Sequence, residues 1–308
     1  MRGTGEDAHH TVAGGPGTEP RRDAVALHVD EIVDPVDPRF EELYALYERL
    51  FPLPAEREPP EAFFEVLELN RNPKVQRELG PWHEAILVVQ AGQGGPVVGG
   101  HVYGVTTSSA HAELGCAASV QAIYTFFDRS VRGRTPMSQI ERELQDRASR
   151  TFEPREAPTV SPLIFVEVNN PLRMSPEQIA DDTAHAGIDP YRRYRHWLNS
   201  GLRPLDLSYV QPPLRAGEDA VRYLDLFCNS KLTSVPAAVI LHHLRAFISI
   251  SVLKGRPADD DPDFAAMRDQ LGGRDAVGFV PEDHGDLRRI LARAAELKLA
   301  SQPRPGVS

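Results

Sequence analysis

The chain has 308 residues, 41% of them apolar and 25% charged, which is the balance of an ordinary globular protein whose core needs no disulfide or metal staple. A formal charge of −10 argues against nucleic acid as a partner, because phosphate neutralisation needs a basic face. Cys116 and Cys228 stand far apart with no metal spacing, so no metal site is expected and a reducing cytoplasm is the default.

Residues 1–22 hold Gly, Pro and charge without a period, lack an apolar leader, and are expected to be disordered. Ala24 to Val33 alternates partially and reads as a strand. Asp37-Pro38 then signals a helix with Phe40, Leu43, Tyr44, Tyr47, Leu50 and Phe51 at steps of three and four. A second helix spans about Pro60 to Leu69. The pattern changes to period two at Glu84 to Gln90 and Pro96 to Thr107, a β-hairpin around Gly92 to Gly95, with a third strand at Ala118 to Asp128. A helix follows from about Pro136 to Arg150, and Leu163 to Val168 is a buried strand. Helices at Ser175 to His185 and Pro190 to Asn199 precede strands at Leu205 to Val210 and Ala220 to Cys228.

The longest apolar stretch, Val235 to Leu253, carries His242, His243 and Arg245. Burying that Arg in lipid would cost about 3 kcal/mol, so the stretch is read as a soluble helix with Ser234 near its cap and Pro236 in its first turn. A Pro/Asp-rich linker and a helix near Asp286 to Leu299 end the chain. The expected division is a disordered tail at 1–22, a mixed α/β domain at 23–230 and a helical extension at 231–308. A homodimer through the C-terminal helices is one role for that extension, and a lid is another.

Two junctions carry a resemblance. The first is Val131-Arg132-Gly133-Arg134 between a strand and the helix that Pro136 opens. The second is Asn169 after the Leu163–Val168 strand, followed by helix, Trp197 and Ser200-Gly201-Leu202. With the order β-α-α-β-β-β-α-β-α-β-β over roughly residues 24–228, they resemble the GNAT acyltransferase superfamily. The resemblance implies a central, mostly antiparallel, splayed sheet and transfer of an acyl group from acetyl-CoA, or another acyl-CoA, to a small-molecule amine. The superfamily's loop binds pyrophosphate at a helix N-terminus, where backbone N–H groups are unpaired. Here that role falls to Arg132, Gly133, Arg134, Thr135, Met137 and Ser138. Thr135 and Met137 replace small residues of the family pattern, which motivates an alternative: a GNAT-shaped protein that has lost ordinary acetyl-CoA use and either acts as a binding or regulatory module or uses an unusual donor or reaction. The strand before the loop, with Phe126, Phe127 and Asp128, would hold the pantetheine arm, and Asn169 completes the cofactor-binding set.

Amine acylation needs a base for the ammonium and an acid for the leaving thiolate. Glu167 interrupts an apolar strand, so it is either a base whose pKa burial raises or a residue on the strand's polar side. The family's usual acid is a Tyr at the position held here by Trp197, so Tyr194 or His196 is expected to stand in. His242-His243 diverge by about 100° on a helix and suit structure better than metal. His101 and Tyr103 line either a cleft or the core. Cys116 shows no His/Asp arrangement of a nucleophile. Asp259-Asp260-Asp261 reads as a solvated linker.

Overall fold

The computed structural model describes residues 27–34, 36–51, 57–131, 137–152, 158–215, 217–229 and 231–300. The expected disordered head at 1–22 lies outside these.

The elements in order are β1 (Leu27–Ile32), α1 (Pro38–Leu50), α2 (Pro60–Asn70), α3 (Pro73–Leu79), β2 (Trp82–Ala91), β3 (Val97–Thr106), α4 (Ser109–Leu114), β4 (Ser119–Phe127) and α5 (Met137–Thr151). They continue with β5 (Leu163–Asn169), α6 (Pro176–Ala186), α7 (Pro190–Asn199), β6 (Arg203–Pro204), β7 (Leu224–Cys228), β8 (Ser234–Pro236), α8 (Ala237–Phe247), α9 (Pro262–Gly272), β9 (Ala276–Gly278) and α10 (Gly285–Ala300).

Five helices begin with the same device. Asp37, Asn72, Ser175, Asp189 and Asp261 each accept a hydrogen bond from a backbone N–H of the first turn, and proline follows each of them. The side chain satisfies one unpaired donor, and proline has no N–H to satisfy. At Ser175 the cap is reciprocal, because Gln178 returns a bond to the Ser175 backbone.

A seven-stranded sheet runs in the order β1-β2-β3-β4-β5-β7-β6, antiparallel throughout except for the parallel β4–β5 pair. This mixed, mostly antiparallel sheet is the fold that the sequence resemblance implies. Helices α1, α2 and α8 cover one face and α5, α7 and α10 the other. Glycines let aromatic rings lie flat on β3: a Cβ at Gly104 would fall 1.8 Å from the Trp82 ring, and one at Gly100 would fall 2.6 Å from Phe126.

Several expectations need correction. The strand expected at Leu205 to Val210 is a loop: Arg203–Pro204 pairs with β7, and Leu205 N adds one bond to the Leu226 carbonyl at 2.9 Å before the pairing ends. The expected start of the long apolar helix, Ser234 to Pro236, is strand β8 against β9. Helices α3 and α4 come in addition. The Pro/Asp linker runs into α9, which Asp261 caps and which is buried through Phe264, Met267 and Leu271. Asp259 there bridges Arg245 at 2.9 Å and Arg268 at 3.2 Å. Residues of the C-terminal segment also share the main core: Ile240, Leu244, Phe247, Phe264 and Met267 are fully buried in one cluster with Phe165 and Leu226.

Candidate active site

The site begins with a single extra residue. β4 pairs with β5 from Ser119↔Leu163 to Ala122↔Val166, and the ladder stops there. On its other edge Val102 of β3 faces Tyr124 while Tyr103 faces Ala122, so Ile123 is the extra residue of a β-bulge. A bulge bends and twists its strand. The second half of β4 thereby leaves β5, and a fork opens between them. Tyr124 and Phe126 turn towards α1, and Phe127 turns towards the α5 side.

A cavity of about 880 Å³ occupies this fork. One arm is walled by Phe51, Phe63, Glu84, Tyr124 and Lys254, and the other by Asn169, Arg193, His196 and Trp197. Glu167 is the first residue of β5 beyond the ladder, so it stands at the junction. Leu163 and Phe165 on its face are buried under α8, so this is not a polar outer face of the sheet. The Tyr209 hydroxyl donates to Glu167 Oε1 at 2.5 Å. Burial pushes the Glu167 carboxyl up to about 7, against the opposing effect of that hydrogen bond. A carboxyl that exchanges its proton near neutrality, at the mouth of a forked strand pair, can accept a proton from an ammonium.

The other candidates divide. His196 is exposed at the cleft wall beside Trp197, ring centroids 5.9 Å apart. Asn169 also lines the cleft, as do Phe126 and Phe127 on opposite faces of β4. Tyr194 does not line it: its side chain is buried on the far face of the sheet against Phe227. Asp128 lies off the cleft wall, accepting from the Ser130 backbone at 2.9 Å and from Arg49 at 2.8 Å. Arg132, Gly133, Arg134 and Thr135 lie outside the described residues. Met137 and Ser138 open α5, and the described residues do not include their side chains.

His101 and Tyr103 are core residues, 1% exposed each, with His101 Nδ1 2.6 Å from Thr125 Oγ1. His242 and His243 belong to a buried polar network. In it Ser108, His111, Ser119, His243 and Gln121 are linked in series at 2.8–3.0 Å, and His242 meets Thr106 at 2.9 Å. Cys116 donates to the Ala118 carbonyl at 3.1 Å, and burial pushes its thiol up, which makes it a poor nucleophile.

Tyr209 escaped the sequence reading because it lies in a loop that was expected to be a strand. Its signal was the apolar phrase Leu205 to Leu214, which reaches the core without a strand's pairing. Glu84 and Lys254 were missed as well. Glu84 sits on the inward face of β2 with Ile86 and Val88, and the Ser251 hydroxyl donates to it. Lys254 follows a π-helical turn, Ile248–Val252, and takes a left-handed φ of 51°. Its ammonium bonds Glu58 at 3.0 Å and the Ser251 carbonyl at 2.6 Å.

No protein-family profile matches the chain, and no curated protein matches it. Among solved structures it is similar to a protein assigned to the GNAT acetyltransferase family from Bacteroides thetaiotaomicron, at 15% identity and a TM-score of 0.44 over 74% of this chain and 98% of that one. It is also similar to a structure described as histone acetyltransferase HPA2 and related acetyltransferase from Corynebacterium glutamicum, at 12% identity and a TM-score of 0.34 over 66% and 95%. Likeness at this level carries no functional weight. Among the described residues, no helix is long and apolar enough to cross a membrane, and no group of three or more His, Cys, Asp or Glu suited to a metal ion occurs.

Proposed function

We propose that the chain is a GNAT-type N-acyltransferase that moves an acyl group, acetyl in the first instance, from acyl-CoA to a small-molecule amine. The observation that carries this reading is the β4–β5 fork with Glu167 at its junction. Beyond Ala122 the edge of β4 no longer pairs with β5, which suits an extended pantetheine arm laid in as a strand would be.

In this reading the acyl donor and the amine meet in the fork from its two arms. Glu167, ionised, takes a proton from the acceptor ammonium. The freed amine attacks the thioester carbonyl, a C–N bond forms, and the C–S bond breaks. The nitrogen sheds its second proton as the amide forms, and that proton reaches the departing thiolate through His196 or through water that His196 holds. Backbone N–H groups along β4 polarise the carbonyl, and joint binding in one cleft supplies proximity. The donor's diphosphate falls to the Arg132–Ser138 junction.

Thermal shift tests donor use. Acetyl-CoA at a hundred times its dissociation constant is expected to stabilise the protein by about 2.7 kcal/mol. If neither millimolar acetyl-CoA nor a longer acyl-CoA shifts the melting temperature, the reading fails in favour of a GNAT-shaped binding module. That alternative rests on Thr135 and Met137, a β-branched and a bulky side chain where close phosphate approach favours small ones.

A further inference from the structure

Tyr209 reaches Glu167 from a loop with no regular structure of its own, yet it is only 1% exposed. What holds this loop is the C-terminal segment. Ser208 N donates to Gln270 Oε1 at 3.2 Å, and Gln270 Nε2 donates back to the Ser208 carbonyl at 3.2 Å. The neighbouring Val210 N–H points at Met267 Sδ, 3.5 Å away. On the other side Asp206 N donates to the Gly278 carbonyl at 2.9 Å, and Arg274 Nη1 donates to the Asp206 carbonyl at 2.7 Å. Leu205 forms a bridge with Phe279, and Val280 N donates to the Pro204 carbonyl at 2.9 Å. Every described residue from Pro204 to Val210, Leu207 and Tyr209 apart, is thus met directly by α9, β9 or the turns beside them.

We propose that residues 258–280 brace the proton-accepting centre: they clamp the Pro204–Val210 loop so that Tyr209 holds the Glu167 carboxyl at the fork. Tyr209 is a positioning residue in this scheme. The C-terminal segment belongs to the working site although none of its residues from Ala258 onwards lines the cleft. The proposal rests on reading Glu167 as the base.

The chemistry of the bond gives the brace its effect. A hydroxyl donating to a carboxylate favours the ionised form, so it opposes the burial that keeps Glu167 protonated. The other titratable groups that line the cleft are Tyr124 of β4, Glu58 before α2, Glu84 of β2, Asp182 of α6, Arg193 and His196 of α7, Glu218, Asp219 and Tyr223 ahead of β7, and Lys254 after the π-helical turn. Tyr209 is the one that bonds it directly.

Carbon-13 NMR of the Glu167 side-chain carboxyl, titrated in wild type, Tyr209→Phe and Gln270→Ala, reads the brace without needing turnover. Tyr209→Phe keeps the ring and removes the donor, so the midpoint is expected to rise by about one pH unit. Gln270→Ala, which touches neither Glu167 nor the cleft, is expected to move it the same way by a smaller step. The acidic limb of kcat/KM is expected to follow both. Melting temperatures that fall while both titrations stay at the wild-type midpoint would overturn the proposal and leave ordinary packing. Carboxyl shifts in a protein that transfers no acyl group would remove the acyltransferase reading and leave the brace standing.

Discussion

Tyr194 donates its hydroxyl to Asp225 Oδ2 at 2.8 Å, on the opposite face of the sheet from Glu167. Asn170 Nδ2 donates to the same oxygen at 2.8 Å, and Arg173 bridges Asp225 Oδ1 at 2.7 Å. A tyrosine locked in such a network holds α7 to β7, and burial together with the Asp225 charge raises its pKa far above a thiolate's reach. Tyr194→Phe is therefore expected to cost about 1.5 kcal/mol of stability, read by urea unfolding, and to leave turnover within roughly twofold. A tenfold or larger loss of kcat would return Tyr194 to the chemistry.

Glu167→Gln removes the base but keeps the side chain's volume. Turnover is expected to fall at least roughly tenfold while acetyl-CoA binding holds. In wild type the base works only when ionised, so kcat/KM is expected to rise with pH through about 7. Loss of that rise in Glu167→Gln is the check.

The same residue makes a prediction about stability. Its folded pKa is raised above the unfolded value, so the folded state binds the proton more tightly, and stability falls as pH climbs from the usual carboxylate range through about 7. Glu167→Gln is neutral at every pH. Its melting temperature is expected to exceed that of wild type at pH 8 and to match it near pH 5. An equal or lower value at pH 8 would show that ionised Glu167 is not costly to the fold.

The buried histidines give the opposite slope. Burial holds His101 at about 3 and His111 at about 4, and it lowers His242 and His243 too. Depressed folded values mean that the unfolded chain binds more protons once pH falls below about 6.5, and stability is lost from there towards 4. For His111 alone the loss between pH 7.5 and pH 5 is about 2 kcal/mol. Urea midpoints at the two pH values measure the sum, and a flat profile would contradict the buried, neutral network.

Acceptor charge is a further handle. In the proposed reading the amine enters by the arm walled by Glu84 and Lys254; Glu58 and Glu167 line the cleft with them, and Lys254 is already bonded to Glu58. Amines without a carboxylate are expected to show KM values roughly tenfold below those of amino acids of matched length, because like charges repel in a low-dielectric cleft. Steady-state kinetics with 1-aminohexane and 6-aminohexanoate tests it.

Much of the architecture was readable because it is local. Period-two runs located β2 to β4, a short buried apolar run located β5, and Asp37-Pro38 located the start of α1. Glu167 stood out as the single charge in an apolar strand. What escaped depends on distant partners. The same Asp-Pro signal opens α9 at Asp261-Pro262, but the acidic run was read as a linker; Asp259 and Asp260 are exposed as expected, while Asp261 caps α9 and Asp259 pairs with Arg245 and Arg268. The place of Tyr209 is decided by Met267 and Gln270, some sixty residues later, and no pattern around Tyr209 announces them.

The bulge at Ile123 also sets the parity of its strand. Before it, even-numbered Val120 and Ala122 look to the α5 side; after it, even-numbered Tyr124 and Phe126 look to α1. A one-residue deletion there would restore simple alternation from Ala122 to Tyr124, leave Tyr124 and Phe126 towards α1, remove the bend and let the strand zip onto β5. The opening between the strands is thus an all-or-none property of chain length at one position, and substitutions alone can reshape its walls without closing it.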